Sequence, residues 1–158
     1  ENPRALARAF VPRRIRSETD AGRRIALLKS IADFGEEGVV EDAVSPGEWR
    51  ENGEAHLDIS GYRAQELDLD VDARGETLVA TSIPAWPGWK ASLDGRRIDT
   101  VFYNHAFVGF RVAEGRHRVR LRYLPDGFVS GAGISGATLL LCVALMLRPS
   151  RARTSPPA

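Results

Sequence analysis

LDLDVDA (67–73) and RHRVRLRY (116–123) are the stretches whose reading decides the fold. In the first, Leu67, Leu69, Val71 and Ala73 alternate with Asp68, Asp70 and Asp72. In the second, Val119, Leu121 and Tyr123 alternate with Arg118, Arg120 and Arg122. A period of two is the signature of a strand, because successive side chains leave a pleated backbone on opposite faces. Each stretch therefore has one apolar and one charged face, which suits an antiparallel sheet wetted on one side. If the two strands are neighbours, the aspartate row meets the arginine row and sets their register.

Outward from these stretches the chain reads as a train of strands. Leu57 and Ile59 alternate with His56, Asp58 and Ser60. Leu78 to Ile83 is apolar almost throughout and fits a sheet centre. Ile98 to Tyr103 and Ala106 to Val112 follow, split by Asn104-His105. Arg74-Gly75 and Glu114-Gly115 mark turns, and Asp94-Gly95 between two runs is a strong hairpin signal. Short strands with frequent turns predict a mainly β fold: a jelly-roll-like antiparallel β-sandwich with one short helix.

The N-terminal part is less regular. Ala9 to Val11 and Arg13 to Arg16, interrupted by Pro12, predict an edge strand. Asp20 is the expected N-cap of a helix over 21–34, with Ile25, Leu28, Ile31 and Ala32 at helical spacing against the sheet edge. Gly38 to Val44 reads as a short strand, Ser45-Pro46-Gly47 as a turn, and Trp49 as a loop anchor.

From Gly127 to Leu147 no residue is charged: GFVSGAGISGATLLLCVALML. As a helix this would be roughly 30 Å long, a bilayer's hydrocarbon thickness. The competing reading is a buried core helix, because four glycines, two serines and a threonine dilute its first half. The expected organisation is a sandwich over 1–125, a transmembrane helix over 126–148 and a disordered cytoplasmic tail over 149–158. Gly127 with Gly131, and Ala132 with Gly136, put small residues on one helix face, as close helix packing in lipid requires.

The 158 residues suffice for one globular domain with a core. A formal net charge of +1 provides no field for nucleic acid. Cys142 is the single cysteine, so neither an intramolecular disulfide nor a cysteine metal cluster is expected. The first residue is Glu1 and no secretory signal follows. Two origins fit: the C-terminal piece of a longer multi-span protein, or a tail-anchored protein with a trimmed start. Arg148, Arg151 and Arg153 after the apolar run favour the first, with the tail cytoplasmic and the sandwich outside.

An ordered set of features spans most of the chain. Pro87-Gly88-Trp89 leads into Lys90-Ala91 and Leu93-Asp94-Gly95. Asn104, Glu114-Gly115-Arg116-His117 and Tyr123-Leu124-Pro125 follow in turn. The opening, Glu1 to Leu6 and Arg8 to Val11, and the closing glycine-containing segment fit the same pattern. Together these resemble the C-terminal part of the bacterial YfhO-like membrane proteins. Ala85-Trp86 departs from the pattern, where an aromatic pair is more usual. The resemblance implies a polytopic bacterial plasma-membrane protein that transfers sugars from polyprenyl-phosphate donors to cell-envelope polymers. It also implies that the catalytic acids lie in an upstream membrane core, so no catalytic residue is assigned here. The expected partners are membrane lipid, the membrane core of the same polypeptide and an envelope glycan.

Within the chain, Trp86 and Trp89 flank a tight turn. Such indoles stack on sugar rings, sit at a membrane interface, or plug the end of a sandwich core. Arg118, Arg120 and Arg122 offer a basic surface for anionic lipid or phosphate, or a solvated row of ion pairs. Asp68, Asp70 and Asp72 are too widely spaced along a strand to share one calcium ion. His56, His105 and His117 lack ligand spacing, so no metal and no cofactor is expected. The resulting expectation is a non-catalytic accessory domain and last span of a YfhO-like glycosyltransferase. A structural or carbohydrate-binding membrane-anchored sandwich and a tail-anchored cytosolic adaptor are the alternatives.

Overall fold

The computed structural model describes residues 6–42 and 47–147. The chain divides into two compact units, Glu1–Leu124 and Pro125–Ala158. The first unit runs β1 (Ala9–Phe10), β2 (Arg14–Ser17), α1 (Ala21–Leu28), β3 (Glu37–Val40), β4 (Trp49–Glu51), β5 (Ala55–Arg63) and β6 (Glu66–Ala73). It continues through β7 (Thr77–Pro84), β8 (Trp89–Leu93), β9 (Arg96–Ile98), β10 (Thr100–Tyr103), β11 (Phe107–Val112) and β12 (Gly115–Tyr123). The second unit holds α2 (Asp126–Met146).

Among the described residues the strands form two sheets. One has seven strands in the order β1-β7-β11-β10-β3-β2-β4, and the other has five in the order β5-β6-β12-β8-β9. The inward stripe of β6 (Leu67, Leu69, Val71, Ala73) and that of β12 (Val119, Leu121) are buried together with Val79, Val108, Phe110 and Val112 of the larger sheet. This shared core makes the unit a mainly β, two-sheet sandwich. The larger sheet is buried on its other face too, where Ile15, Val40, Leu78, Ala80 and Tyr103 cluster. That double burial explains why β7 is apolar at successive positions rather than alternating.

Local chemistry sets several boundaries. Asp20 caps α1: its carboxylate accepts from the Arg23 amide at 2.8 Å. The β8–β9 hairpin turns at Asp94 (φ 52°) and Gly95 (φ 82°), the left-handed pair that a tight two-residue turn demands. Asn52 acts as a substitute strand. Its side-chain amide donates to Pro12 O and Leu78 O at 2.9 Å each, and its Oδ1 accepts from the Leu78 amide at 2.9 Å.

The structure departs from the sequence expectations in six places. Pro12 does not interrupt one edge strand but separates two: β1 lies at a sheet edge, whereas β2 sits between β3 and β4. Strands β2 and β3 pair in parallel, so the sandwich is not purely antiparallel. The helix α1 supplies the crossover that parallel neighbours need. Sheets of seven and five strands also differ from an eight-stranded jelly roll.

The helix α1 is shorter than expected, ending at Leu28, and its one buried residue is Arg24. Arg24 donates to Glu18 O at 3.0 Å and Thr19 O at 2.7 Å, and pairs with Glu41 at 3.0 Å. Ile25, expected on the packed face, is exposed. Trp49 lies in β4 rather than in a loop, and the Ser45-Pro46 part of the expected turn lies outside the described residues.

The sixth departure is the expected transmembrane helix. Among the described residues no helix is long and apolar enough to cross a membrane. In α2 the strongly apolar stretch begins at Leu139 and ends with Leu147 just past the helix. It would rise only about 14 Å, less than half of the hydrocarbon core. The preceding turns are rich in Gly and Ser. The hydroxyls of Ser130 and Thr138 donate to Gly127 O and Ile134 O of the same helix. The expected tail over 149–158 lies outside the described residues.

Gly38 of β3 sits directly beneath Tyr103, where a Cβ would come within 2.1 Å of the ring. Gly38→Ala is expected to cost about 1–3 kcal/mol by overpacking. In urea denaturation its effect should shrink when Tyr103→Ala is also present, giving a clearly non-additive cycle.

Candidate functional site

The two charged rows meet. Strand β12 lies between β6 and β8, with Arg116 opposite Asp72, Arg118 opposite Asp70, Arg120 opposite Asp68 and Arg122 opposite Glu66. Arg118 Nε lies 3.2 Å from Asp70 and Arg120 Nε 2.6 Å from Asp68. Arg120 also reaches Glu66 at 3.3 Å, and Arg116 reaches Asp72 at 3.0 Å. The Asp68 and Glu66 carboxylates hold the Arg120 guanidinium above its already high pKa, Asp68 contributing most. Two of the three arginines proposed from sequence are thus engaged by carboxylates on the outer face of the smaller sheet. The third, Arg122, stands opposite both Glu66 and Lys90 at the end of the row.

One end of this row is tied down by a pair that sequence reading treated only as a turn and a lone histidine. Asp94 accepts from the Arg118 amide at 2.8 Å and lies 2.7 Å from His117 Nδ1. The hydrogen bond with Asp94 raises the His117 pKa above its ordinary 6.5, and the same bond lowers that of Asp94 below 3.8. The hairpin motif located Asp94, but its contact spans 23 residues and leaves no local pattern.

The two tryptophans separate into different roles. Trp89, the first residue of β8, is half-buried against the sandwich core and packs on Tyr123 with ring centroids 5.3 Å apart. Trp86 is 68% exposed. The turn between them is held by its backbone: Ala85 N donates to Ala106 O at 2.8 Å, and Leu124 N donates to Gly88 O at 2.9 Å. Gly88 takes φ 115°, which a side chain would strain. Beside the turn lies an open depression of about 310 Å³, lined by Trp86, Pro87, Trp89, Thr100, Val101 and Phe102 among others. Phe102, itself 44% exposed, was not singled out from sequence. It reaches the turn because β10 pairs with β11, and β11 with β7. Its alternation with the buried Tyr103 was the available signal.

Among the described residues no group of three or more His, Cys, Asp or Glu side chains is arranged to hold a metal ion. The aspartates of β6 are instead met by arginines.

Residues 50–135 match the family described as bacterial membrane protein YfhO. The chain belongs to this family. The matched segment is more than half of the 158 residues. It runs from β4 through β12 into the first half of α2, and includes the Trp86 turn, the charged rows and the Asp94–His117 pair. No curated protein and no solved structure matches the chain. What distinguishes this YfhO-family sandwich is therefore read from its own geometry.

Two predictions follow from the site. Trp86→Ala should change stability by no more than about 0.5 kcal/mol, as at most exposed positions. Trp89→Ala, which removes a ring from the core margin, should cost about 2–4 kcal/mol in the same denaturation experiment. The second prediction concerns pH. The raised His117 pKa means that its bond to Asp94 stabilises fully below pH 6.5, and that this contribution fades as pH rises through the folded-state value. The lowered Asp94 pKa means that its contribution is lost only as pH falls below 3.8. His117→Gln should therefore lower the urea midpoint more at pH 5 than at pH 9. Equal losses at both would discard the linkage.

Proposed function

We propose that this chain is the non-catalytic extracytoplasmic domain and terminal membrane-associated helix of a YfhO-family glycosyltransferase. The membrane core of that protein would transfer sugars to cell-envelope polymers. The observation that carries this reading is the reach of the family match, which runs from β4 through β12 of the sandwich and into the first half of α2. Sandwich and helix thus belong to one family unit of a membrane protein.

The chemistry of α2 supports its place in lipid. Leu139, Leu140, Leu141, Val143, Leu145 and Met146 are all exposed, which is costly in water and favourable in hydrocarbon. The Ser130 and Thr138 hydroxyls are satisfied within the helix, as a lipid environment requires. On this reading α2 does not cross alone. Its small-residue half packs on other helices of the membrane core, and its leucine-rich half faces lipid. The sandwich stands outside the cell, because Arg148, Arg151 and Arg153 follow the apolar segment and favour the cytoplasm. The sandwich contributes no catalytic group and acts by covering the outer face of the core.

The test uses the longer protein in its own bacterium. With Cys142→Ser in place, a cysteine introduced by Arg96→Cys should react with a membrane-impermeant maleimide in intact cells. Reaction only after permeabilisation would place the sandwich inside and favour a cytosolic adaptor. Deleting the segment 1–125 while retaining the helices should reduce polymer glycosylation at least tenfold. Unchanged glycosylation would discard the accessory role.

A further inference from the structure

We propose that the Trp86 turn, together with Phe102, is a lipid-interface anchor that seats the sandwich on the bilayer surface. This rests on the reading of α2 as membrane-associated and extends it to a second, independent contact. Trp86 and Phe102 are the aromatic side chains exposed around the depression, at 68% and 44%. The depression itself is almost bare of hydrogen-bonding side chains. Thr100 contributes a hydroxyl and the tryptophans their indole N–H groups; Ala85, Pro87, Val101, Phe102 and Val108 offer none. A sugar ring stacked on Trp86 would leave most of its hydroxyls without side-chain partners. An acyl chain needs none, and an indole at the headgroup boundary keeps its N–H wet while its ring is buried.

Chain continuity places the turn where the bilayer would begin. Gly88 O holds the amide of Leu124, and α2 starts at Asp126, two residues later. The turn therefore belongs to the end of the sandwich from which the chain leaves for its apolar helix. The charges at this end match a headgroup layer. Lys90 and Arg122 lie opposite each other, one register position from the Trp89–Tyr123 pair. At a bilayer surface this pair, with Glu66 opposite Arg122, lies at the depth of the headgroups while the neighbouring aromatics meet the acyl boundary. At the far end of β8, about 15 Å away at the rise of a strand, the Asp94-Gly95 turn carries no exposed aromatic.

The experiment compares nitroxide labels in the full chain reconstituted into phosphatidylcholine–phosphatidylglycerol vesicles. Labels are placed at Cys142 of the unaltered chain, at Trp86→Cys with Cys142→Ser, and at Arg96→Cys with Cys142→Ser. Collision with oxygen reports lipid, and collision with a nickel chelate reports water. Cys142 and position 86 should both favour oxygen several-fold, and position 96 should favour nickel. If Cys142 lies in lipid but position 86 behaves like position 96, the anchor is refuted while membrane association stands. If position 86 stays aqueous and is immobilised only by an added envelope oligosaccharide, a glycan contact replaces the lipid one. If Cys142 itself is aqueous, the underlying membrane reading fails and the anchor with it. Emission from Trp86→Phe set against the unaltered chain gives a second readout. The vesicle-induced blue shift should be lost in the variant, and a shift of the same size would refute the anchor.

Discussion

The alternation that β6 and β12 share is the constraint on which the sandwich depends. Slipping β6 by one residue against β12 would turn Asp68 and Asp70 into the core and Leu67 and Leu69 out of it. Burying a carboxylate costs several kcal/mol, whereas each exposed ion pair of the row contributes at most about 1 kcal/mol. Apolar periodicity therefore chooses the face, and the charges follow. The charges alone do not fix the register, because a slip by two would still set arginine against aspartate along most of the row. The fixtures on either side of β12 remove that freedom. Gln65 O, next to β6, accepts from the Tyr123 amide at 2.9 Å, and on the other side of β12 Asp94 holds the Arg118 amide and fixes that strand against β8.

What the sequence revealed divides along the range of the interactions. The strand stripes, the Asp20 cap and the Asp94-Gly95 turn are decided within a few residues, and each appears where its local pattern places it. The parallel pairing of β2 with β3 depends on which strand lies next to which across a helix, and no local period encodes that. Arg24 defeats the apolar-stripe rule because carbonyls and Glu41 satisfy most of its guanidinium in a buried setting. The depression near Trp86 was half legible. The tight turn and its tryptophans stood out, but Phe102 joins them only through the order β7-β11-β10. For α2, freedom from charge suggested a complete span, while its small and polar first half leaves too little strongly apolar length.

The two tryptophans show how a short motif divides its labour. Trp89 ties the turn to the core and to Tyr123, and Gly88 bends the backbone so that Leu124 is held in the same place. With the turn rigid, Trp86 is presented outward at little entropic cost. In the charged row, by contrast, Arg118 and Arg120 are committed to carboxylates of their own domain. A basic surface inferred from sequence thereby becomes largely internal wiring.

The position of β12 has a consequence for how the protein is made. Among the described residues it is the last strand in chain order, yet it occupies the middle of the smaller sheet, between β6 and β8. Until it arrives, β6 and β8 each have an open edge, and the core lacks Val119 and Leu121. The next element out of the ribosome is α2. Closure of the sandwich and emergence of the apolar helix therefore fall within moments of each other, so that the nascent domain stays open until the polypeptide has almost reached α2.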